Sequence, residues 1–386
     1  MGGRGSGDAG ADGRAGQTLF AIQYLRGGAA LAVCAYHALQ WCDGGFDVGR
    51  AGVDVFFVIS GVIMWRITSG APPRAVAFLW RRFTRVAPLY WAATLLVAAI
   101  AEVWPAFLPE VRPGLGHLVL SLAFIPHLDP RGLPFPTLPP GWTLDYEMIF
   151  YLVVGASLAL GLRRAGLVCG ALFVIVVLGF LFPDSAYFLG ANPMLLQFAA
   201  GVGLAEAGAR GLLPRRPVGF GLLAGGLLLF AMVQLGGLFS ELWRPLVWGV
   251  PATLLVAGAL AIELDGPRPP LERVAFVRNQ PGALQRAQEP KDRARFSVFA
   301  DSTKTHRALG GPLHRALMQL GDASFALYLF HLPATAVIAH TLGYRHEVAF
   351  LVASMGVSVA AGLAVHAWIE RPLLAWLRRG ALSPGP

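Results

Sequence analysis

Two ionisable residues, Arg26 and His37, interrupt a strongly apolar stretch at residues 19–41. A charged side chain inside a membrane helix is costly, and such residues usually mark a pathway or a reactive site. Eleven residues are about three helical turns, so the two side chains would project from nearly the same face, roughly 16 Å apart. A guanidinium can bind an anion, and an imidazole can act as a general base or carry an acyl group. The alternative is that Arg26 reaches the inner headgroups and His37 ends the helix.

A carboxyl and a hydroxyl group, Asp54 and Ser60, lie in the second apolar stretch at residues 52–66. If consecutive helices are antiparallel, the outer start of the second helix lies beside the outer end of the first. A carboxylate that contacts one imidazole nitrogen orients the ring and raises its basicity. We therefore predict that Asp54 pairs with His37. An N-cap is the alternative role for Asp54, and the two roles are compatible.

Two guanidinium groups, those of Arg82 and Arg85, fall three residues apart on one face at the inner end of the third stretch. Such a pair suits phosphate binding, because each guanidinium can form two parallel hydrogen bonds. Arginines at this boundary can also serve only to keep the helix end on the cytoplasmic side.

Three polar side chains, Thr143, Glu147 and Tyr151, follow one another at intervals of four residues. This spacing puts them on one helical face. An unpaired carboxylate is disfavoured in an apolar helix, so Glu147 requires a cation or a polar substrate. A structural ion pair with Arg26 or Arg85 is the alternative.

A late apolar stretch carries Tyr328 and His331 on one face. We predict that they line a cavity together with Trp142, although a single membrane histidine more often makes a hydrogen bond between helices. The three cysteines show no metal-ligand spacing and no metal-binding motif occurs, so the sequence predicts no metal site.

These side chains have to be positioned by membrane helices, because the chain is too apolar for a soluble protein. Of its 386 residues, 55% are hydrophobic and only 14% are charged, whereas about a quarter of a soluble domain is charged. A further, less pronounced apolar segment at 116–127 is too short to cross the membrane, so we predict that it is interfacial or re-entrant. Longer stretches predict an all-α integral membrane protein with about ten transmembrane helices, at 19–41, 52–66, 86–104, 144–162, 165–182, 191–208, 217–236, 246–263, 319–341 and 349–375.

The distribution of Lys and Arg predicts the orientation of these helices. With the N-terminus inside, the inner segments hold 25 of the 31 Lys and Arg residues and the outer segments hold five. This positive-inside pattern places both termini in the cytoplasm. It also accounts for the net charge of +9, so membrane lipids are predicted partners and nucleic acid is not. Residues 1–18 predict a disordered tail, and the basic segment 264–318 predicts a cytoplasmic loop.

Taken together, several segments resemble the acyltransferase-3 family of membrane O-acyltransferases, and within it the bacterial exopolysaccharide acetyltransferases. The family's Arg-x10-His motif falls on Arg26 and His37, and its Arg-x-x-Arg motif falls on Arg82 and Arg85. Its Glu-x-x-Phe-Tyr motif begins at Glu147. The chain departs from the family pattern in two places, with Thr143 where many members have Ser and with a longer loop at 264–318. The matching segments are YLRGGAALAVCAYHA, GVDVFFVISGVIM, RRFTRVAPLYW, GWTLDYEMIFY, GDASFALYLFH and ERPL.

The resemblance implies one transmembrane acyltransferase domain over residues 19–380, in the bacterial inner membrane. The donor would be cytoplasmic acyl-CoA, most simply acetyl-CoA, and the acceptor a hydroxyl of a surface or exported glycan or of a lipid-linked sugar. Arg26, Arg82 and Arg85 would hold the donor phosphates. His37 would act as the general base or would carry the acyl group.

The order of the polar residues along the helices predicts supporting roles for the others. Asp54 would tune His37, Glu147 and Tyr151 would orient the sugar or the imidazole, and Ser60 would donate to the thioester oxygen. Two other functions stay open from the residues alone. One is acylation of a small secondary metabolite such as a macrolide, and the other is non-enzymatic transport of a polar solute.

Overall fold

In the computed structural model, the described residues are 19–69, 72–112, 114–182, 193–238, 243–265 and 311–380. The predicted tail at 1–18 and most of the predicted loop at 264–318 lie outside them. All regular secondary structure in the described part of the chain is helical. The α-helices are α1 Phe20–Gln40, α2 Gly52–Ser69, α3 Ala75–Val103, α4 Leu115–Leu122, α5 Trp142–Ala159, α6 Ala165–Leu181, α7 Leu195–Ala209, α8 Arg216–Gly236, α9 Val250–Leu264, α10 Pro312–Thr341, α11 Glu347–Val365 and α12 Arg371–Gly380.

The helices confirm an all-α membrane protein. Six of them, counted with the short segments that continue them, are long and apolar enough to cross a membrane, within the residues that the structure describes. Each of the ten predicted stretches coincides with a helix, but the count of ten crossings and the orientation of the termini stay predictions. Helix α4 has eight residues, about 12 Å, so it cannot cross alone, as expected for the segment 116–127.

Contacts between helix ends show how the helices alternate in direction. The backbone N–H of Phe20, at the start of α1, donates to Glu263 at the end of α9, with an N–O distance of 2.6 Å. The Trp65 indole, near the end of α2, donates to Glu206 near the end of α7 at 2.8 Å. We call the end that contains Arg26, Arg82 and Arg85 the arginine end, and the end that contains His37 and Asp54 the histidine end.

Two helices extend further than hydropathy predicted. Helix α3 begins at Ala75 instead of residue 86, so Arg82 and Arg85 lie about two and three turns inside it. Helix α10 begins at Pro312 instead of residue 319. Hydropathy marks where a helix becomes apolar, whereas the backbone helix continues through charged residues with good helix propensity. Proline at the first position of α10 is favourable because its missing N–H has no partner there anyway.

Close packing brings α1 and α10 into direct contact. A Cβ atom at Gly321 would collide with the backbone carbonyl of Gln23, so only glycine permits this approach. Small residues allow membrane helices to approach closely in this way. As a result, the polar side chains of α1 and α10 face each other along the length of the bundle.

Two π-helical segments interrupt the long helices. Pro245–Gly249 precedes α9, and His366–Glu370 joins α11 to α12. A π-helical turn inserts an extra residue and changes which side chains face inward, and such turns are frequent at functional sites. Arg244 directly precedes the first segment and Glu370 ends the second, and both side chains are buried.

Candidate active site

A cavity of about 820 Å³ lies at the histidine end, within the size range of small-molecule sites. Its wall combines α1, the start of α5, the middle of α10 and the connecting segment at residues 108–140. Apolar and aromatic groups dominate it, with a few convergent polar groups. The polar and aromatic residues used below are His37, Gln40, Trp142, Tyr146, Arg244 and Tyr328.

His37 lies in this wall with a defined tautomer. Its Nδ1 atom is 3.0 Å from Oε1 of Gln40, and Nε2 of Gln40 donates to the hydroxyl of Tyr36 at 2.8 Å. An amide oxygen only accepts, so Nδ1 of His37 carries the proton in this arrangement. Nε2 of the neutral ring is therefore an acceptor. A ring in this form can act as a base or as a nucleophile.

Asp54 does not pair with His37, and the predicted dyad is wrong in this respect. The carboxylate of Asp54 is fully buried and pairs with Arg244, with Nη2 2.9 Å from Oδ2. It also accepts from Nε2 of Gln197 at 2.7 Å. The carboxylate satisfies a guanidinium instead of an imidazole because a buried charge is most stable beside an opposite full charge with extra hydrogen bonds. Gln40 takes the orienting position that sequence reasoning gave to Asp54.

Arg244 is a cavity residue that sequence reasoning missed. It was counted only as one of five arginines outside the inner segments. Its guanidinium carbon lies 6.0 Å from the ring centre of Trp142, which forms the adjoining wall. The available signal was its position directly before Pro245 at the start of an apolar stretch, where an arginine needs a buried partner.

A hydrogen-bonded cluster joins α5 to α10 beside the cavity. The hydroxyls of Thr143 and Tyr328 are 3.0 Å apart. Both also bond the backbone carbonyl of Pro140, at 3.1 and 2.9 Å. Thr143, Tyr328 and Trp142 thus lie together, as their predicted faces require. His331 follows Tyr328 on α10, and its ring centre is 5.1 Å from that of His37.

At the arginine end, Arg26 contacts α10. Its guanidinium donates to Oε1 of Gln23 at 3.1 Å and to the hydroxyl of Ser324 at 3.0 Å. Gln23 in turn donates to Asp322 at 3.0 Å. Arg26 therefore points into the protein instead of to lipid headgroups, and the alternative reading of this residue does not hold.

Arg85 forms an ion pair with Glu370, which has a side-chain exposure of 2%. The second oxygen of Glu370 is 2.7 Å from Nδ1 of His366. Arg82, one turn away, has a buried Nε donor with no hydrogen-bond partner among the described residues. The charges of Arg26 and Arg82 both interact unfavourably with that of Arg85. An anion between these groups would relieve the repulsion and satisfy the orphaned donor.

Glu147 belongs to the arginine end. Its Oε1 atom accepts from the hydroxyl of Ser60 at 3.1 Å and from that of Tyr151 at 2.5 Å. Its charge attracts Arg26 and Arg82 electrostatically. Arg85 takes Glu370 as its ion-pair partner, so the alternative of a Glu147–Arg85 pair is wrong.

A polar turn supports the cavity rim outside the helices. Oδ1 of Asp129 accepts from the backbone N–H groups of Arg131 and Leu133 at 2.8 and 2.9 Å. Arg131, which lines the cavity, also pairs with Oδ2 of Asp129 at 2.8 Å. Burial favours the neutral acid, but the hydrogen bonds from Leu133 and Arg131 outweigh it and lower the pKa of Asp129.

Comparison with known proteins decides the family. The sequence model of the acyltransferase-3 family, described as an acyltransferase domain, matches residues 19–262. This chain belongs to the acyltransferase-3 family. Exopolysaccharide production protein ExoZ of Rhizobium meliloti (strain 1021) is 32% identical over 353 residues, which are 89% of this chain and 95% of that protein. The present acyltransferase is accordingly a multi-pass membrane enzyme.

Two further relatives match part of this acyltransferase-3 protein. Peptidoglycan O-acetyltransferase OatA of Listeria monocytogenes is 33% identical over 159 residues, 37% of this chain and 24% of that protein. A putative membrane-bound transacylase, BcsY of Komagataeibacter xylinus, is 30% identical over 142 residues, 34% of this chain and 35% of that protein. No solved structure matches the chain significantly.

The structure divides the predicted site residues of this acyltransferase into two groups. The face of α5 that carries Thr143 and Glu147 runs between the two groups. The additional members that sequence reasoning missed are Gln40, Arg244 and Glu370. In the described part of the chain, no group of three or more His, Cys, Asp or Glu residues is arranged to hold a metal ion. The arginine end holds Arg26, Arg82, Arg85, Glu147, Tyr151 and Ser60, and the histidine end holds His37, Asp54, Trp142, Thr143, Tyr328 and His331.

Proposed function

We propose that this acyltransferase moves an acetyl group from cytoplasmic acetyl-CoA to a hydroxyl of an exported polysaccharide or its lipid-linked precursor, in the bacterial inner membrane. The observation that carries the proposal is His37, whose unprotonated Nε2 belongs to a ring in the wall of an 820 Å³ cavity. The name of the ExoZ relative refers to exopolysaccharide production, and that of OatA to O-acetylation of peptidoglycan. Both names support a glycan acceptor.

The arginine end suits the donor. Coenzyme A carries several phosphate charges, and Arg26, Arg82 and Arg85 offer three guanidiniums with an orphaned donor on Arg82. Charge-assisted hydrogen bonds from guanidinium to phosphate are among the stronger polar contacts in proteins. With its phosphates held there, the pantetheine arm would direct the thioester along α5 towards the histidine end. Ser60, whose single O–H donates to Glu147 in this arrangement, would turn that O–H to the thioester oxygen as charge develops on it.

The histidine end suits a sugar acceptor. Trp142 and Tyr146 supply aromatic surface, and Arg244, held by Asp54, supplies a fixed polar group. His37 would remove the proton of the acceptor hydroxyl as the oxygen attacks the acyl carbon. Gln40 keeps the ring in the required tautomer. Asp54 thus contributes by positioning Arg244 instead of by tuning the base.

The test is acetyl incorporation in cells that carry wild-type protein, His37→Ala or, as a matched control, His346→Ala. His346 is an exposed histidine on the connection before α11. Positioned proton transfer typically contributes about 10²–10⁴-fold, so His37→Ala should lose at least 99% of the acetyl groups released from extracellular polysaccharide by mild base. His346→Ala should match wild type.

Two results would count against the proposal. Equal incorporation by His37→Ala at equal protein level would remove His37 from the chemistry. Acetyl groups that appear only on small secreted metabolites, and never on polysaccharide, would reassign the acceptor.

A further inference from the structure

Five aromatic rings lie together at the histidine end, where three long helices terminate. Trp41 directly follows α1, Trp104 and Phe107 follow α3, His340 lies in the last turn of α10, and Tyr344 lies on the connection to α11. The ring centre of His340 is 5.1 Å from that of Phe107 and 5.6 Å from that of Trp104. It is also 6.4 Å from that of Trp41, which in turn is 6.1 Å from that of Tyr344. We call these five residues the aromatic strip.

The aromatic strip is continuous with the wall of the 820 Å³ cavity. Trp41 is itself a wall residue. Trp104 lies seven residues, about two helical turns, beyond Val97, which also lines the cavity. His340 lies seven residues beyond another wall residue, Pro333. The faces of α3 and α10 that form the cavity therefore continue outward into the strip.

Much of the aromatic surface of the strip is exposed. Trp104 keeps 54% of its surface accessible and Tyr344 keeps 50%. The competing explanation is an interfacial anchor, because Trp and Tyr gather where a membrane meets water. On α3, however, the outward face next to this position is aliphatic, with exposed Leu96 and Val103. Trp104 is turned by about 100° from Val103, onto the face that carries the cavity residue Val97.

The size of the cavity explains why a polymeric acceptor needs a second surface. A cavity of about 820 Å³ encloses a ligand of ordinary small-molecule size, so the sugar units on either side of the reacting unit have to extend beyond it. The C–H groups on one face of a sugar ring pack against the electron-rich face of an aromatic ring. Trp and Tyr supply such contact area at a low cost in conformational entropy, because their side chains have few rotatable bonds.

We propose that the aromatic strip binds the sugar units that flank the unit being acetylated in the acceptor polysaccharide. The proposal rests on the proposed function, in which the acceptor is a polysaccharide. His37 acts on one hydroxyl inside the cavity, whereas the strip contributes to the affinity for the polymer. The strip takes no part in the covalent step. It selects a polymer over a single sugar.

The test compares a polymeric acceptor with single sugars. Trp104→Ala removes an exposed ring of the strip, and Trp104→Phe keeps an aromatic ring there. The matched control is Trp376→Ala, which removes a tryptophan that is 69% exposed on α12, next to Glu370 at the arginine end. Full-length protein in lipid nanodiscs is assayed with saturating acetyl-CoA. The acceptors are the de-O-acetylated polysaccharide of the producing bacterium and the methyl glycosides of its constituent monosaccharides.

We expect Trp104→Ala to raise KM for the polysaccharide about 2- to 12-fold, the loss that corresponds to one aromatic contact. Its kcat, its KM for acetyl-CoA and its KM for the methyl glycosides should match wild type, because neither the donor nor a single sugar reaches the strip. Trp104→Phe should keep most of the affinity for the polymer. Trp376→Ala should have wild-type constants throughout.

Two results would overturn the proposal. An unchanged KM for the polysaccharide in Trp104→Ala would leave the ring as an interfacial anchor, and an equal rise in KM for the glycosides would place the effect inside the cavity. If Trp104→Ala does not reach the membrane, Tyr344→Ala carries the same expectation, since its ring adjoins that of Trp41.

Failure of this inference can be told from failure of the proposed function. If wild type acetylates small metabolites and no polysaccharide, the proposed function itself fails. If wild type acetylates the polysaccharide and both Trp104→Ala and Tyr344→Ala keep the wild-type KM, only the role of the strip is wrong.

Discussion

The arginine end and the histidine end of the helical bundle differ in the charge of the polar groups that they contain. At the arginine end, Arg85 pairs with Glu370, Arg26 is bonded to neutral side chains, and Nε of Arg82 has no hydrogen-bond partner among the described residues. At the histidine end, the imidazoles of His37 and His331 lie side by side, and an ion pair, Arg244–Asp54, is buried near them. The charged side chains of the arginine end favour reversible binding of a charged acyl donor. The imidazoles of the histidine end favour reversible uptake of a proton.

At each end, a π-helical turn lies next to a buried charged residue. A π-helical turn follows Arg244 and another ends at Glu370, and each of these residues completes an ion pair with a distant helix, to Asp54 on α2 and to Arg85 on α3. Burying a charge is costly unless it is paired and hydrogen-bonded. The extra residue of each π turn directs the side chain of Arg244 or Glu370 into the bundle, so the irregular backbone positions these two charges.

The largest effect on stability should come from breaking the ion pair at the histidine end. Asp54→Ala leaves the buried guanidinium of Arg244 without this carboxylate, and removal of one partner of a buried pair costs about 3–5 kcal/mol. The free energy of unfolding in detergent, measured by denaturant titration, should fall by that amount. The exposed carboxylate of Glu102 offers a control, and Glu102→Ala should change stability by less than about 0.5 kcal/mol.

A double variant sharpens this test. Asp54→Leu/Arg244→Met replaces both charges with apolar groups, and such replacements of a buried pair are often neutral or stabilising. It should recover most of the stability lost in Asp54→Ala while acetyl transfer stays impaired. A double variant as unstable as Asp54→Ala would show that the ion pair is not the cause of the loss.

At the arginine end the expected effect is on donor affinity. Arg85→Lys keeps the charge but loses the planar fork that binds phosphate, so one charge-assisted contact worth roughly 1.5–3 kcal/mol is lost. The Kd for acetyl-CoA should rise about 10- to 150-fold, as measured by titration of purified protein. Arg74→Lys, an exposed arginine at the same end, should bind like wild type. Identical binding curves for Arg85→Lys would leave that arginine with its ion pair to Glu370 and a role in topology, and without a role in donor recognition.

The smallest effect should come from the turn at the cavity rim. Because the pKa of Asp129 is lowered in the folded protein, its contribution to stability is present above the pKa of the unfolded state, about 4, and is lost as the pH falls through the folded value. Amide hydrogen exchange at residues 129–133, corrected for intrinsic rates, should therefore rise up to about fivefold as the pH falls below 4. Asp129→Asn should remove this pH dependence; a variant with the wild-type profile would show that another group titrates.

Local regularities made part of the site predictable. The four-residue spacing of Thr143, Glu147 and Tyr151 places them on one face whatever the rest of the protein does, and the structure bonds Tyr151 to Glu147. The helical faces that carry Arg26 and Tyr328 could be predicted from residue spacing in the same way. Helix boundaries were less so, because α3 continues through its arginines and hydropathy cannot register that.

The sequence could not predict which residue forms an ion pair with Asp54. Proximity to His37 followed from antiparallel neighbours, but the choice of Arg244, 190 positions away in the chain, depends on how α9 and its π turn pack. The same holds for Glu370 and Arg85, which are 285 positions apart.

By itself, the sequence determined that this is an α-helical membrane protein and which faces of its helices are polar, because both properties follow from composition and from a period of 3.6 residues. Only the tertiary structure decided which buried charges satisfy one another and which imidazoles meet. Those choices depend on the free energy of pairing groups in a low-dielectric interior, and this energy is set by distances between helices that are far apart in the chain.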